Sequence, residues 1–260
     1  MKTINWRFLS IKPIYGLGIA FLLSIASVSA DELHIAVAAN FTKPVKQLKQ
    51  LFMERTGHSV IVSFGSTGQL YAQIKHGAPF EVFLAADMKR PKQLIREGNA
   101  VAGSLLTYAI GKLVLWSART GFVDSNGKIL SSGKFQYLAI AHPKMAPYGT
   151  AAKQVLDKLG LWQTLQGKIV RGNNANQAYQ FTATGNAELG FIAFSHYQEA
   201  IQKNSRGSHW QVPATFYDPI QQGAVLLKTG ENQPAAKAFI TFLRSASAQQ
   251  MIKELGYVVP

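Results

Sequence analysis

The sequence predicts an α/β fold of two units, each a mostly parallel sheet flanked by helices. Three observations carry that expectation. Short apolar runs alternate with helix-like segments along nearly the whole chain, the pattern of a sheet covered on both faces. The alternation pauses at one long apolar run, 108–116, and then restarts. Four short polar stretches each follow an apolar run and precede a helical pattern, which is where open α/β sheets hold ligands.

The elements follow in order. Leu33, Ile35 and Val37 alternate as a strand. Thr42 is placed to cap the next helix, with Pro44 near its first position. Val45, Leu48, Leu51 and Phe52 give that helix one apolar face, and Gly57 ends it. Residues 60–62 read as a strand, 69–76 as a short helix closed by Gly77 and Pro79, 82–85 as a strand, and 91–97 as a helix stopped by Gly98. The run 108–116 reads as a strand crossing from the first unit to the second. Residues 121–133 are polar and Gly-rich, a surface loop or hairpin. A strand is expected at 138–141, a helix at 150–159 ended by Gly160, a short strand at 169–170, a helix at 178–184 and a strand at 189–194. Residues 203–207 are polar loop. The run 219–227 is the return crossing, with 224–227 as strand; helices at 234–243 and 248–255 follow, with Gly256 as the last cap. Two crossings build the first lobe from both ends of the chain, 31–110 plus 222–260, and the second from 111–221.

The first 30 residues read as an export signal. Lys2, Arg7 and Lys12 open it, 14–28 is apolar and uncharged, and Val28-Ser29-Ala30 is a small-residue cleavage site. The apolar stretch falls short of the roughly 20 residues a spanning helix needs. The signal carries three of the chain's 27 basic residues and none of its 13 acidic ones, which leaves the rest at about +11. The chain has no cysteine, so an exported protein here relies on packing rather than disulfides. Its Lys and Arg are scattered, without the aromatic-interleaved clusters of nucleic-acid readers. Nucleic acid is therefore excluded, and the charge reads as solubility plus long-range attraction for anions.

Motifs for catalysis and metals are missing. The six histidines show no ligand spacing. Gly65-Ser66-Thr67-Gly68 resembles a phosphate loop, but Gln69 stands where that loop needs Lys. No G-x-S-x-G elbow occurs. Asp87 falls where a helix cap belongs, and Glu81 reads as a strand-edge polar residue. What remains is the four polar stretches, 38–42, 64–68, 146–150 and 173–176. A helix start carries free N–H groups and a partial positive charge, so several converging on one point would hold an oxyanion without a charged side chain. Ordinary capping is the plainer reading of each stretch taken alone.

The order and spacing of several segments resemble the periplasmic molybdate-binding proteins, the solute receptors of ABC transporters. The segments are Ala-Ala-Asn-Phe at 38–41, Gly-Ser-Thr-Gly at 65–68, Gly77-Ala78-Pro79 leading to 83–87, the run 108–116, Ala-Pro-Tyr-Gly at 146–149, Leu189-Gly190-Phe191 and Gly256-Tyr257. The resemblance implies a two-lobed, type II periplasmic-binding-protein fold with molybdate or tungstate in the cleft. The oxyanion would be held through its oxygens, with no protein ligand on the metal atom. Asn40 takes the first-loop place, where many members have Ser, and Ala39 offers a backbone N–H beside it. Thr67 takes the second-loop place, where Ser is usual, with Ser66 as its neighbour. Tyr148 matches the branch that uses a Tyr hydroxyl from a Pro-Tyr-Gly loop, and Ala175 matches a helix-start N–H. The other branch has its Tyr on a later strand, where this chain has Ala193. The resemblance further implies a monomeric periplasmic receptor with no cofactor and no catalysis, partnered by an inner-membrane ABC permease. A sulfate or phosphate receptor, an exported enzyme on a similar fold, and a sensor or adhesin module are the alternatives.

Overall fold

The computed structural model describes residues 32–205 and 207–260; the segment read as an export signal lies outside the described residues. The chain opens with β1 (Glu32–Ala38), a 3-10 turn at Ala39–Phe41 and α1 (Thr42–Thr56). Then come β2 (Ser59–Gly65), α2 (Thr67–Lys75), β3 (Val82–Leu84), α3 (Lys89–Arg96) and β4 (Leu106–Gly111). The second half begins with β5 (Leu113–Ser117), α4 (Ile129–Ser132), β6 (Leu138–Ala141), α5 (Pro147–Lys158) and β7 (Ile169–Gly172). It continues through α6 (Ala175–Ala183), β8 (Leu189–Ala193), α7 (Phe194–Gln202) and β9 (Ser208–Gln211). Finally β10 (Ile220–Leu226), α8 (Pro234–Phe242) and α9 (Ala246–Glu254) close the chain.

Two five-stranded sheets result, ordered β2-β1-β3-β10-β4 and β7-β6-β8-β5-β9. They share one plan. Three neighbouring strands run parallel, and the fourth position is filled by an antiparallel strand arriving from elsewhere in the chain: β10 in the first sheet and β5 in the second. Each sheet is the centre of one lobe. In the first, Leu33, Ile35 and Val37 pack with Leu48, Phe52 and Phe239; in the second, Leu113, Leu115 and Ile140 pack with Val155, Leu156 and Phe191. Burying a side chain of this kind stabilises the fold by about 1.5–3 kcal/mol.

The run 108–116 is two strands, not one. Gly111 ends β4 against Ile220, Lys112 stands between, and Leu113 opens β5 against Ala193. Uniform hydropathy hides the change of partner, since both halves are buried. The return is β10, as the run 219–227 implies. Three elements escape the sequence reading. α7 starts directly after β8 with no side-chain cap, so the apolar run conceals the switch from strand to helix. β9 is a four-residue edge strand, and α4 is one short turn of helix inside the Gly-rich segment. Thr42 does not cap α1. The helix is entered through the preceding 3-10 turn, and the Thr42 hydroxyl donates to the Ala39 carbonyl at 2.8 Å.

Candidate anion-binding site

All four polar stretches meet at one void. It is small, with only about 10 Å³ open to the centre of a water-sized sphere, and lies between the lobes, far below the pockets that take drug-sized ligands. Ala39, Asn40, Ser66 and Thr67 line it from the first lobe; Tyr148 and Ala175 line it from the second. Ala38, Gly65, Ala86, Ala146, Pro147 and Asn174 complete the wall. No lining residue is ionisable except Tyr148, so the site offers dipoles rather than formal charges. Larger grooves open onto solvent, and the one nearest the cleft is edged by Asp87, Arg90, Lys144 and Asp218.

The helix starts are arranged to leave donors for the void. Ser66 caps α2, its Oγ accepting from Gln69 N–H at 3.3 Å. Asn174 caps α6, its Oδ1 accepting from Gln177 N–H at 3.0 Å. These caps satisfy the third N–H of each helix and leave the first, on Thr67 and Ala175, facing outward as helix geometry requires. The Thr67 hydroxyl accepts from Ala86 N–H at 3.1 Å, so its own proton remains to be donated. Pro147 opens α5 and has no N–H; Tyr148 beside it supplies a hydroxyl instead. Asp87 accepts from Arg90 N–H at 2.9 Å, the capping role its position implies.

Asn40 lines the void from the first loop. Its side-chain amide is turned into a buried network behind the void, donating to Gln222 Oε1 at 2.8 Å and to Tyr257 Oη at 3.3 Å. What the first loop presents to the void is therefore backbone N–H, from Ala39 and Asn40, at the start of the 3-10 turn. The network continues through Tyr108 Oη, which donates to Gln222 Oε1 at 3.0 Å, and Ser195 Oγ, 2.9 Å from Tyr257 Oη. Burial first, and then the crowding of neighbouring hydroxyls, holds Tyr148 and Tyr108 well above the usual phenol range. Tyr257 is pushed up to about 12 by burial. All three stay protonated at physiological pH. Sequence reasoning missed Gln222, Tyr108 and Ser195 altogether. A single Gln in a strand or Ser in a helix carries no local signal, and only the antiparallel return of β10 brings Gln222 to Asn40.

The lobes are closed on the void. Gly68 N–H donates to Met145 carbonyl at 2.9 Å, and Arg90 Nη2 donates to Lys144 carbonyl at 3.0 Å. On the opposite side Lys43 Nζ donates to Gln202 Oε1.

Residues 33–258 match the family model of the bacterial extracellular solute-binding proteins. The molybdate-binding protein ModA of Azotobacter vinelandii is 53% identical over 239 residues, covering 92% of this chain and 94% of that one. The chain belongs to the ModA family. The ModA protein of Rhodobacter capsulatus is 51% identical over 241 residues, with 92% and 94% covered. A solved structure of the periplasmic molybdate-binding protein of Azotobacter vinelandii superposes with a TM-score of 0.84 at 45% identity, covering 88% of this chain and 99% of that one. ModA membership agrees with the two-lobed, type II architecture described above. A mycobacterial sulfate-binding protein, at 14% identity and a TM-score of 0.72, shares the fold alone.

Proposed function

We propose that the chain is the periplasmic receptor that captures molybdate and passes it to an ABC permease, acting as a binding protein and not as an enzyme. The observation that carries this reading is a small, uncharged void between the lobes, walled by four helix starts. Tungstate, nearly equal in size and charge, would be taken as well. The donors are backbone N–H groups of Ala39, Asn40, Thr67 and Ala175, and the hydroxyls of Thr67 and Tyr148; Ser66 acts by capping α2. The receptor works as a monomer, and the N-terminal 30 residues direct export and are removed.

The physics supports a site with no matching cation. A dianion entering the void loses its hydration, at high cost. Fixed dipoles replace that water without reorganising. Each hydrogen bond to a charged group contributes about 1.5–3 kcal/mol net, and several are available. A site made only of donors also discriminates by protonation. Hydrogen phosphate brings a proton that needs an acceptor, and leaving it unpaired costs about 1–3 kcal/mol. Sulfate carries the same charge as molybdate but is smaller, so its oxygens reach the same donors at longer distances.

Competition calorimetry on the processed protein tests the reading. Molybdate and tungstate should bind with closely similar affinity, sulfate more weakly and phosphate weakest. Tighter binding of sulfate or phosphate than of molybdate would assign the chain to another oxyanion.

A further inference from the structure

We infer that Ser195 is a positioning residue for the anion: it ties the second lobe to the first loop at Asn40, so that closing the lobes fixes the N–H groups this loop presents to the void. The inference rests on the functional reading above and deepens it.

Ser195 stands at the start of α7, in the second lobe, and is buried. Its hydroxyl does nothing for its own helix, whose start has no side-chain cap. It reaches across to the first lobe instead. Ser195 Oγ lies 3.3 Å from the Asn40 carbonyl oxygen and 2.9 Å from Tyr257 Oη. Tyr257 Oη donates to the same carbonyl at 2.7 Å. Two hydroxyls, one from each lobe, therefore converge on one carbonyl, which has lone pairs for both. The Ser195 proton can serve the carbonyl or Tyr257 Oη; in either case Oγ is seated between two polar atoms of the first lobe.

Both ends of this tie are held beside the crossing between the lobes. Phe194 N–H donates to the carbonyl of Lys112, the residue between β4 and β5, at 2.9 Å. Tyr257 is fixed from either side. Val258 exchanges two backbone bonds with Ile110 of β4, at 2.7 and 3.0 Å, and Gly256 lies on Phe194, where a Cβ would stand 2.8 Å from the ring's Cδ1. Asn40 is held by its carbonyl here and by its Nδ2, which donates to Gln222 Oε1 at 2.8 Å. A residue anchored at both points keeps its backbone N–H, at the start of the 3-10 turn, directed at the void it lines. Donors fixed in this way need no reorganisation when the anion arrives. Ser195 does not line the void, so its influence on the anion runs through Asn40.

Molybdate titration of the full receptor and of its Ser195→Ala variant tests this. The variant should bind molybdate about fivefold more weakly, through faster dissociation with association unchanged. The rise in melting temperature on adding molybdate should shrink, while the unliganded melting temperature stays where it is. Ser195→Thr, which keeps the hydroxyl, should restore the native affinity. Unchanged affinity in Ser195→Ala would overturn the inference while leaving the functional reading intact. So would an equal fall of the liganded and unliganded melting temperatures, which is what a residue that merely supports the fold gives. A native receptor that takes up no molybdate would overturn the functional reading itself, and the inference with it. If Ser195→Ala does not fold, Ser195→Cys, whose thiol is a weak donor, enters the same comparison with the same outcomes.

Discussion

The backbone N–H of Gly68 donates to the carbonyl of Met145 across the cleft, at 2.9 Å. Gly68 belongs to the first turn of α2 and Met145 to the loop before α5, so one bond joins the lobes at the rim of the void. A Cβ on Gly68 would stand 3.1 Å from Arg90 Nη2 and 3.2 Å from the Met145 carbonyl oxygen, tighter than ordinary contact. Arg90, held by the Asp87 carboxylate, adds a second bond to the Lys144 carbonyl. The two bonds form a latch between the lobes, made by residues that do not line the void.

Removing the latch should act on release. Arg90→Ala is expected to cost about 1 kcal/mol of the closed state, which is roughly a fivefold faster molybdate dissociation. Association should change little. Stopped-flow displacement with excess tungstate measures the rate; an unaltered dissociation rate would mean the latch plays no part in closure.

The donors themselves should each be worth more. Thr67→Val and Tyr148→Phe keep the shape of the wall and delete one hydroxyl. Each is expected to weaken molybdate by about 1–3 kcal/mol, measured by calorimetry; Thr67→Val also leaves the buried Ala86 N–H unpaired and should lower the unliganded melting temperature.

Gly111 provides a way to disturb Tyr148 without altering it. A Cβ at Gly111 would stand 2.1 Å from Tyr148 Oη and 2.9 Å from its Cζ, so the ring must move. Gly111→Ala should therefore lose affinity by about as much as Tyr148→Phe, roughly 1–3 kcal/mol. Adding it to Tyr148→Phe should cost much less. Additive losses would mean that Gly111 acts through the strand and not through the ring.

His196 sets an acid limit on stability. It is buried against Tyr179, their rings stacked at 4.9 Å, and burial depresses its pKa to about 4 from an unfolded value of about 6.5. A depressed value means the unfolded chain binds the proton more readily. The stability contribution is thus complete above about pH 6.5 and lost as pH falls toward about 4, up to roughly 3 kcal/mol in all. Melting curves from pH 7.5 to 4.5 should fall less steeply for His196→Phe than for the native chain. Parallel curves would refute the assignment.

Much of the fold was legible in the sequence because local and tertiary preferences agree. Leu33, Ile35 and Val37 alternate because one face of β1 turns all three into the same core cluster, and Gly57 ends α1 in the left-handed conformation its position predicts, with φ of 73°. Legibility failed where tertiary partners decide. Nothing local separates Gly111 from Leu113, which pair in different sheets. The site followed the same division. The four polar stretches were visible because a helix start needs small, capping or Gly residues, and the void gathers all four. The network behind it was not visible, because Asn40, Gln222 and Tyr257 are brought together only by the return of the chain to the first lobe.

The most direct measurement is a crystal structure of the processed protein with molybdate, phased at the molybdenum edge. The account predicts one metal peak in the interlobe void, its oxygens within hydrogen-bond distance of the Thr67 and Tyr148 hydroxyls and the Ala175 N–H, and no lysine or arginine in contact. An anion clamped by a cationic side chain, or a void still empty at saturating molybdate, would contradict it.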